Sequence, residues 1–76
     1  MSLTQLKTGE KAYIEEIIGG RRAKKRLSSL GFVKGRNIKI FRDDGGPIII
    51  AINDNRIALG RGMASKIVVS IKGCEN

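Results

Sequence analysis

Short runs of apolar residues, separated by turns rich in glycine and polar residues, predict a chain built mainly from β-strands. The runs are three to eight residues long and rich in Ile and Val, which favour strands over helices. Glycine pairs, an Asp-Asp-Gly-Gly segment and an Asn-Asp-Asn segment separate them. The predicted strands span residues 11–18, 37–42, 47–52, 57–59 and 67–71.

Three local details of this pattern are specific enough to test. In the first strand, Ala12 and Ile14 fall on one face and Ile17 on the other, which predicts a β-bulge or strand end near Glu15. The third strand is apolar on both faces, which predicts an interior strand or one covered by a helix. The turn that follows it is expected to use Asp54-Asn55 as its two central residues, because both tolerate positive φ.

One stretch has helical rather than strand periodicity. Ala23, Leu27 and Leu30 are spaced i, i+4 and i+7 and form one apolar stripe, which predicts a short helix after the first strand with Leu27 and Leu30 in the core. Gly31 is placed to end the helix in a left-handed conformation, and Phe32 is expected to return to the core. A single helical turn is predicted at residues 60–65.

The order of these elements favours a small closed barrel. About five strands joined by tight turns in 76 residues gain from closure, because it removes exposed sheet edges. We expect one domain over residues 1–76, with its core at about 3–71 and a frayed tail at 72–76. Any strand edge left open would allow pairing with a second copy, so a homo-oligomer stays open.

Positive charge is concentrated in one segment. The net charge is +8, and residues 21–36 hold seven of the 15 basic residues and no acid. Most of these side chains fall off the apolar stripe of the helix. Like charges spaced three or four residues apart cost stability, which favours a surface for an acidic partner over a merely solvated face. The predicted contact residues are Arg21, Arg22, Lys24, Lys25, Lys34 and Arg36.

The residue types argue against catalysis and against a resident metal or cofactor. The chain has no histidine, and its single cysteine, Cys74, cannot form an intramolecular disulfide. Adjacent acids occur only at Glu15-Glu16 and Asp43-Asp44, and the latter is predicted to be a solvated hairpin loop. The glycines match no phosphate-binding motif and are interpreted as turn and cap residues. Without a signal-peptide pattern or a membrane span, we expect a cytoplasmic protein.

Three segments together resemble a known family. The helix exit at 26–35 is similar to the R-L-x-x-L-G-[LF]-x-x-G signature of the FeoA family of small ferrous iron transport proteins. Residues 3–10 resemble its L-x-x-L-x-x-G start, and residues 57–69 resemble its I-A-L…A-x-x-I-x-V end. The resemblance covers residues 3–71 in the family's order. It implies an SH3-like barrel, consistent with the strand pattern.

The resemblance also implies a function. FeoA proteins are bacterial cytoplasmic proteins that assist FeoB, the membrane Fe(II) transporter with a GTPase domain, so the expected role is a non-enzymatic accessory protein. The family is labelled with transition-metal binding, whereas this sequence contains no evident ligand set. A small basic nucleic-acid-binding domain is the alternative. The three aromatics Tyr13, Phe32 and Phe41 make no evident base-stacking platform, which disfavours it.

Overall fold

Five antiparallel strands form one sheet in a computed structural model of the chain. The structure describes residues 1–71, so the predicted frayed tail at 72–76 lies outside the described residues. The helices are α1 (Arg21–Ser29) and the single turn α2 (Arg61–Ala64), with a short 3₁₀ helix at Leu3–Gln5. The sheet order is β4-β3-β2-β1-β5. The strands are β1 (Lys11–Ile17), β2 (Asn37–Asp43), β3 (Ile48–Ile52), β4 (Asn55–Leu59) and β5 (Ile67–Ser70).

The core consists of the inward-facing residues of these strands and a few residues from the helices and connections. In β3, Ile48, Ile50 and Ile52 are buried while Ile49 and Ala51 are half-buried, so this strand is interior to the sheet, as predicted, with its second face partly open. The 15 buried apolar residues form one cluster. They are Leu3, Leu6, Ala12, Ile14, Leu27, Phe32, Ile38, Ile40, Ile48, Ile50, Ile52, Leu59, Ala64, Ile67 and Val69.

The irregular alternation of β1 has the predicted cause. The register between β1 and β5 shifts between Ile14 and Glu16, where Val69 and Val68 are the partners, so Glu15 is the extra residue of a β-bulge. The extra residue turns Ile17 back towards the interior, where it packs against the core while partly exposed. Ile14 and Ile17 therefore serve the same core despite their odd spacing.

Helix α1 is held at its C-terminal end. Leu27 and Phe32 are fully buried on either side of the helix exit. The Phe32 N–H donates to the Leu27 carbonyl (3.0 Å) and the Gly31 N–H donates to the Ser28 carbonyl (3.0 Å), the pair of bonds of a Schellman motif. Gly31 has φ +103, and a Cβ there would meet the Asn53 Nδ2 atom at 3.3 Å. The positive φ is therefore the main reason for glycine here, and the tight contact adds to it.

One detail of the predicted helix is wrong. Leu30 is 37% exposed rather than core, and Ala23 is only half-buried. Leu30 is the C-cap residue, and the chain turns away directly after it at Gly31. Phe32, two residues further on, is fully buried, as predicted.

The β3–β4 turn lies one residue earlier than predicted. Asn53 and Asp54 carry the positive φ values, 50° and 68°, rather than Asp54 and Asn55. Ile52 and Asn55 close the hairpin as a cross-strand pair, so β4 begins at Asn55 instead of residue 57. A two-residue turn with positive φ at both centres matches the right-handed twist of the flanking strands.

A bidentate ion pair ties the β2–β3 turn to α2, a contact that the sequence analysis does not predict. Arg61 donates from Nη1 to Asp43 Oδ1 (2.7 Å), from Nη2 to Asp43 Oδ2 (3.2 Å) and from Nη1 to the Gly46 carbonyl (3.1 Å). The hydrogen bonds from Arg61 and from the Gly45 N–H lower the pKa of Asp43. The same pair raises the pKa of Arg61. Asp43 is the last residue of β2. It was predicted to lie in a solvated loop, but its carboxylate instead binds Arg61 at the start of α2.

We predict that Leu27→Ala lowers the free energy of unfolding by about 2 to 4 kcal/mol, because it removes a fully buried side chain at the helix anchor. Urea unfolding followed by circular dichroism measures this. Leu30→Ala is the matched control, since that side chain is partly exposed, and it should cost less than about 1 kcal/mol. Equal losses in the two variants would contradict the observed helix register.

We predict that Asp43→Asn lowers the melting temperature at pH 7, because the arginine loses its ionised partner. The folded-state pKa of Asp43 lies below its ordinary value of 3.8. Its stabilisation is therefore complete above that value and is lost as the pH falls through the lowered pKa. The melting temperatures of the unsubstituted protein and of Asp43→Asn should therefore converge as the pH is lowered from 7 into the acid range. Asp44→Asn, at a more exposed carboxylate, should show a smaller effect at pH 7, and a pH-independent gap for Asp43→Asn would contradict the linkage.

Candidate partner-binding surface

The predicted contact residues occupy the N-terminal half of α1 and the connection that leads from it to β2. We call the set Arg21, Arg22, Lys24, Lys25, Lys34 and Arg36 the helix surface. Its members on α1 and Lys34 are exposed, while Arg36 is half-buried. Leu27 faces the core from the same helix, so packing at that residue turns the basic side chains outward.

The charges of the helix surface are arranged unfavourably for the helix itself. The N-cap is Gly20, which offers no side-chain cap, and the first turn contains no acid. Arg21, Arg22 and Lys24 instead place positive charge beside the positive end of the helix dipole. Arg21 and Lys25 are also like charges spaced i, i+4. Local stability therefore does not account for this cluster of charges.

No intramolecular partner neutralises the helix surface within residues 1–71. The ion pairs of that part of the chain are Arg42–Asp44 (3.7 Å) and Arg61–Asp43 (2.7 Å), and neither includes a residue of the helix surface. The side-chain hydrogen bonds of the same region also leave its charged groups unused. These cations are therefore available to an external anion.

A groove between β1 and α1 brings two of the predicted residues together. Lys24 and Lys34 line it with Glu15 and Glu16 of β1, and its volume is about 370 Å³. The two acids lie beside the lysines without forming an ion pair, so the positive potential is weakened on this side of the helix. Arg36 does not line this groove. Arg21, Arg22 and Lys25 do not line it either.

The described residues do not fit a resident metal ion. Within residues 1–71, no three His, Cys, Asp or Glu side chains come together as a candidate ligand set. The chain contains no histidine, and its acids include Asp43, which already binds Arg61. We therefore derive no function from a bound metal. Of the helices in the same region, none is long and apolar enough to cross a membrane.

The sheet also brings together three basic residues that are distant in sequence. Register pairs Lys11 with Lys39, Lys39 with Ala51, and Ala51 with Arg56. We call these four residues the sheet row. The sequence pattern does not indicate this row, because the three cations are far apart along the chain and only the strand register brings them together.

Comparison with known proteins decides the family. The FeoA domain model matches residues 1–71. The chain belongs to the FeoA domain family. The resemblance stated from the three sequence motifs is thereby confirmed, and the match covers all residues that the structure describes.

Relatives support this assignment in sequence and in fold. The chain is 41% identical over 63 residues to a protein named as an Fe(2+) transport protein A of Methanocaldococcus jannaschii, covering 83% of this chain and 77% of that protein. A crystal structure of an iron uptake regulatory protein (FeoA) is 33% identical, with a TM-score of 0.85, and the match covers 92% of this chain and 93% of that one.

The fold type is given by a further similar crystal structure, whose protein is described as an SH3 domain protein. FeoA of Stenotrophomonas maltophilia, solved in complex with zinc and described as a prokaryotic SH3 domain protein, is 28% identical with a TM-score of 0.83. The match covers 92% of this chain and 89% of that one. The predicted mainly β, SH3-like architecture with one short helix after the first strand is thereby confirmed. The family places the protein in ferrous iron transport with an accessory role.

We predict that Arg22→Glu raises the free energy of unfolding by about 0.3 to 1 kcal/mol, because it puts an acid near the helix N-terminus and removes a like-charge pair. Urea unfolding measures the change. Arg26→Glu is the control at the other end of α1, where a basic residue is favourable, and it should give no such gain. Destabilisation by Arg22→Glu would show that the helix surface serves the fold.

Proposed function

We propose that this chain is a non-enzymatic accessory protein of ferrous iron uptake that acts in the cytoplasm by binding a FeoB-type membrane transporter. The transporter's GTPase domain is the first candidate for the target. Family membership supports the link to iron transport. In this proposal Fe(II) is the transporter's cargo, and the chain acts on the transporter rather than on the metal.

One observation carries the choice of contact surface. The N-terminal half of α1 presents four exposed cations that have no partner in the described chain and that weaken the helix on which they lie. Such an arrangement is favourable when an acidic surface binds it, because charge complementarity raises the association rate and selects the partner. Arg21 and Arg22, with their planar guanidinium groups, suit bidentate contact with carboxylates.

The alternative, a nucleic-acid-binding domain, is less well supported by the geometry. Phe32 is fully buried and Tyr13 half-buried. The ring of Phe41 is covered by the Arg56 guanidinium, 4.0 Å from its centroid. These are the aromatic residues of the chain, so no exposed pair of rings is available for stacking bases. Charge remains the one feature that favours nucleic acid.

We predict that the triple charge reversal of Arg22, Lys24 and Lys25 to Glu abolishes binding to a FeoB-type transporter while the domain stays folded. Repulsion replaces attraction at the proposed contact, and none of the three side chains is buried. A pull-down from nuclease-treated membrane extract at physiological salt, repeated with the purified GTPase domain, measures binding. Circular dichroism verifies the fold.

A matched pair of double variants separates position from net charge. Lys24→Glu with Lys25→Glu is compared with Lys7→Glu with Arg42→Glu, which reverses the same number of exposed charges elsewhere. The first pair should weaken binding far more than the second. Equal effects, or full binding by the triple variant, would remove the helix surface from the proposal. Recovery of RNA in place of a transporter when nuclease is omitted would favour the alternative function.

A further inference from the structure

The outer face of the sheet carries a second concentration of positive charge that does not involve the helix surface. Residues paired directly across antiparallel strands point to the same face, so Lys11, Lys39, Ala51 and Arg56 form one row over β1, β2, β3 and β4. The three cations are exposed and Ala51 is half-buried. The sheet row therefore contains three positive charges and no acid in four adjacent positions.

This arrangement is unfavourable for the fold. Neighbouring strands lie about 4.8 Å apart, and like charges directly opposite each other destabilise a sheet. Lys11 and Lys39 are such a pair, and no ion pair within residues 1–71 includes either of them. An anion held between the two ammonium groups would remove the repulsion.

A groove beside the row gives the anion a place to bind. It is open to solvent, has a volume of about 610 Å³, and is lined by both lysines of the row. Ala51 and Tyr13 add apolar surface, Asn37 and Asn53 add amide groups, and Asp54 adds one acid against the two lysines, so the lining keeps a net positive charge. The site thus combines charge, apolar surface and groups that can donate to or accept from a backbone.

Arg56 is fixed at the far end of the row. Its guanidinium carbon lies 4.0 Å from the centroid of the Phe41 ring, a cation–π contact. The contact places the guanidinium over the ring and does not neutralise its charge. It also covers a face of Phe41, which is then less available to a stacked base.

We propose that the sheet row and its groove bind an extended acidic segment of a protein partner, with one carboxylate held between Lys11 and Lys39. Charge complementarity selects an acidic segment, because the row is wholly basic. The asparagine amides and the apolar surface suit a peptide, whereas single-stranded nucleic acid is typically held by bases stacked on open aromatic faces in addition to charge. This surface is independent of the helix surface and of the identity of the transporter.

A synthetic peptide tests the proposal directly. The probe is a fluorescein-labelled 12-residue peptide of alternating Glu and Ser, measured by fluorescence anisotropy at physiological salt. The comparison peptide has Gln in place of every Glu. The full chain should bind the Glu peptide in a saturable manner and the Gln peptide at least about fivefold more weakly.

Two charge-matched variants locate the binding. Lys11→Gln with Lys39→Gln should weaken binding of the Glu peptide by at least about fivefold, whereas Arg26→Gln with Lys66→Gln, which removes two cations outside both basic surfaces, should change it by less than about twofold. The melting temperature of the Lys11/Lys39 variant should stay the same or rise, because the opposed charges are removed. Chemical-shift changes in ¹⁵N-labelled protein should centre on the sheet row.

Three results would overturn the proposal. The first is equal weakening by both variants, which would show attraction by net charge alone. The second is the absence of saturable binding to the Glu peptide. The third is tighter binding of a 12-nucleotide oligouridylate through Lys11 and Lys39, which would make this a nucleic-acid surface. Because the probe is not a transporter, each result is independent of the proposed function.

Discussion

The packing of Leu27 and Phe32 on either side of Gly31 determines how this small domain presents its charge. A helix of nine residues is marginal in water on its own, and α1 is further weakened by basic residues at its N-terminus. Its stability must therefore come from tertiary contacts. Leu27 anchors one side in the core, the left-handed Gly31 reverses the chain, and Phe32 anchors the other. The basic residues of the first turns are left facing outward.

Features that depend on local pattern could be predicted from the sequence. Five Ile- and Val-rich runs indicated the strands, and the broken alternation at Glu15 indicated the bulge. The glycine after Leu30 indicated the helix end. Leu30 itself was predicted wrongly, because helical periodicity was extended to a residue where the helix already ends.

Features that depend on register could not be predicted in this way. The pairing of Arg61 with Asp43 joins residues 18 positions apart, and nothing near either residue indicates it. The row of Lys11, Lys39 and Arg56 likewise exists only once three strand pairings are known. The helix surface was found because its residues are adjacent in sequence, and whether it binds a partner stays a prediction. Contact surfaces formed across a sheet are thus systematically harder to recognise than those on one helix.

Both basic surfaces lie on a small SH3-like core, and in each of them like charges lie close together without an ion-pair partner among the described residues. We propose above all that the cations of α1 contact the transporter. The most direct measurement is an NMR titration of ¹⁵N-labelled protein with the unlabelled GTPase domain of a FeoB-type transporter. We predict that the resonances of Arg21, Arg22, Lys24 and Lys25 shift or broaden first in this titration. Perturbation confined to other surfaces, with these four unchanged at saturation, would contradict it.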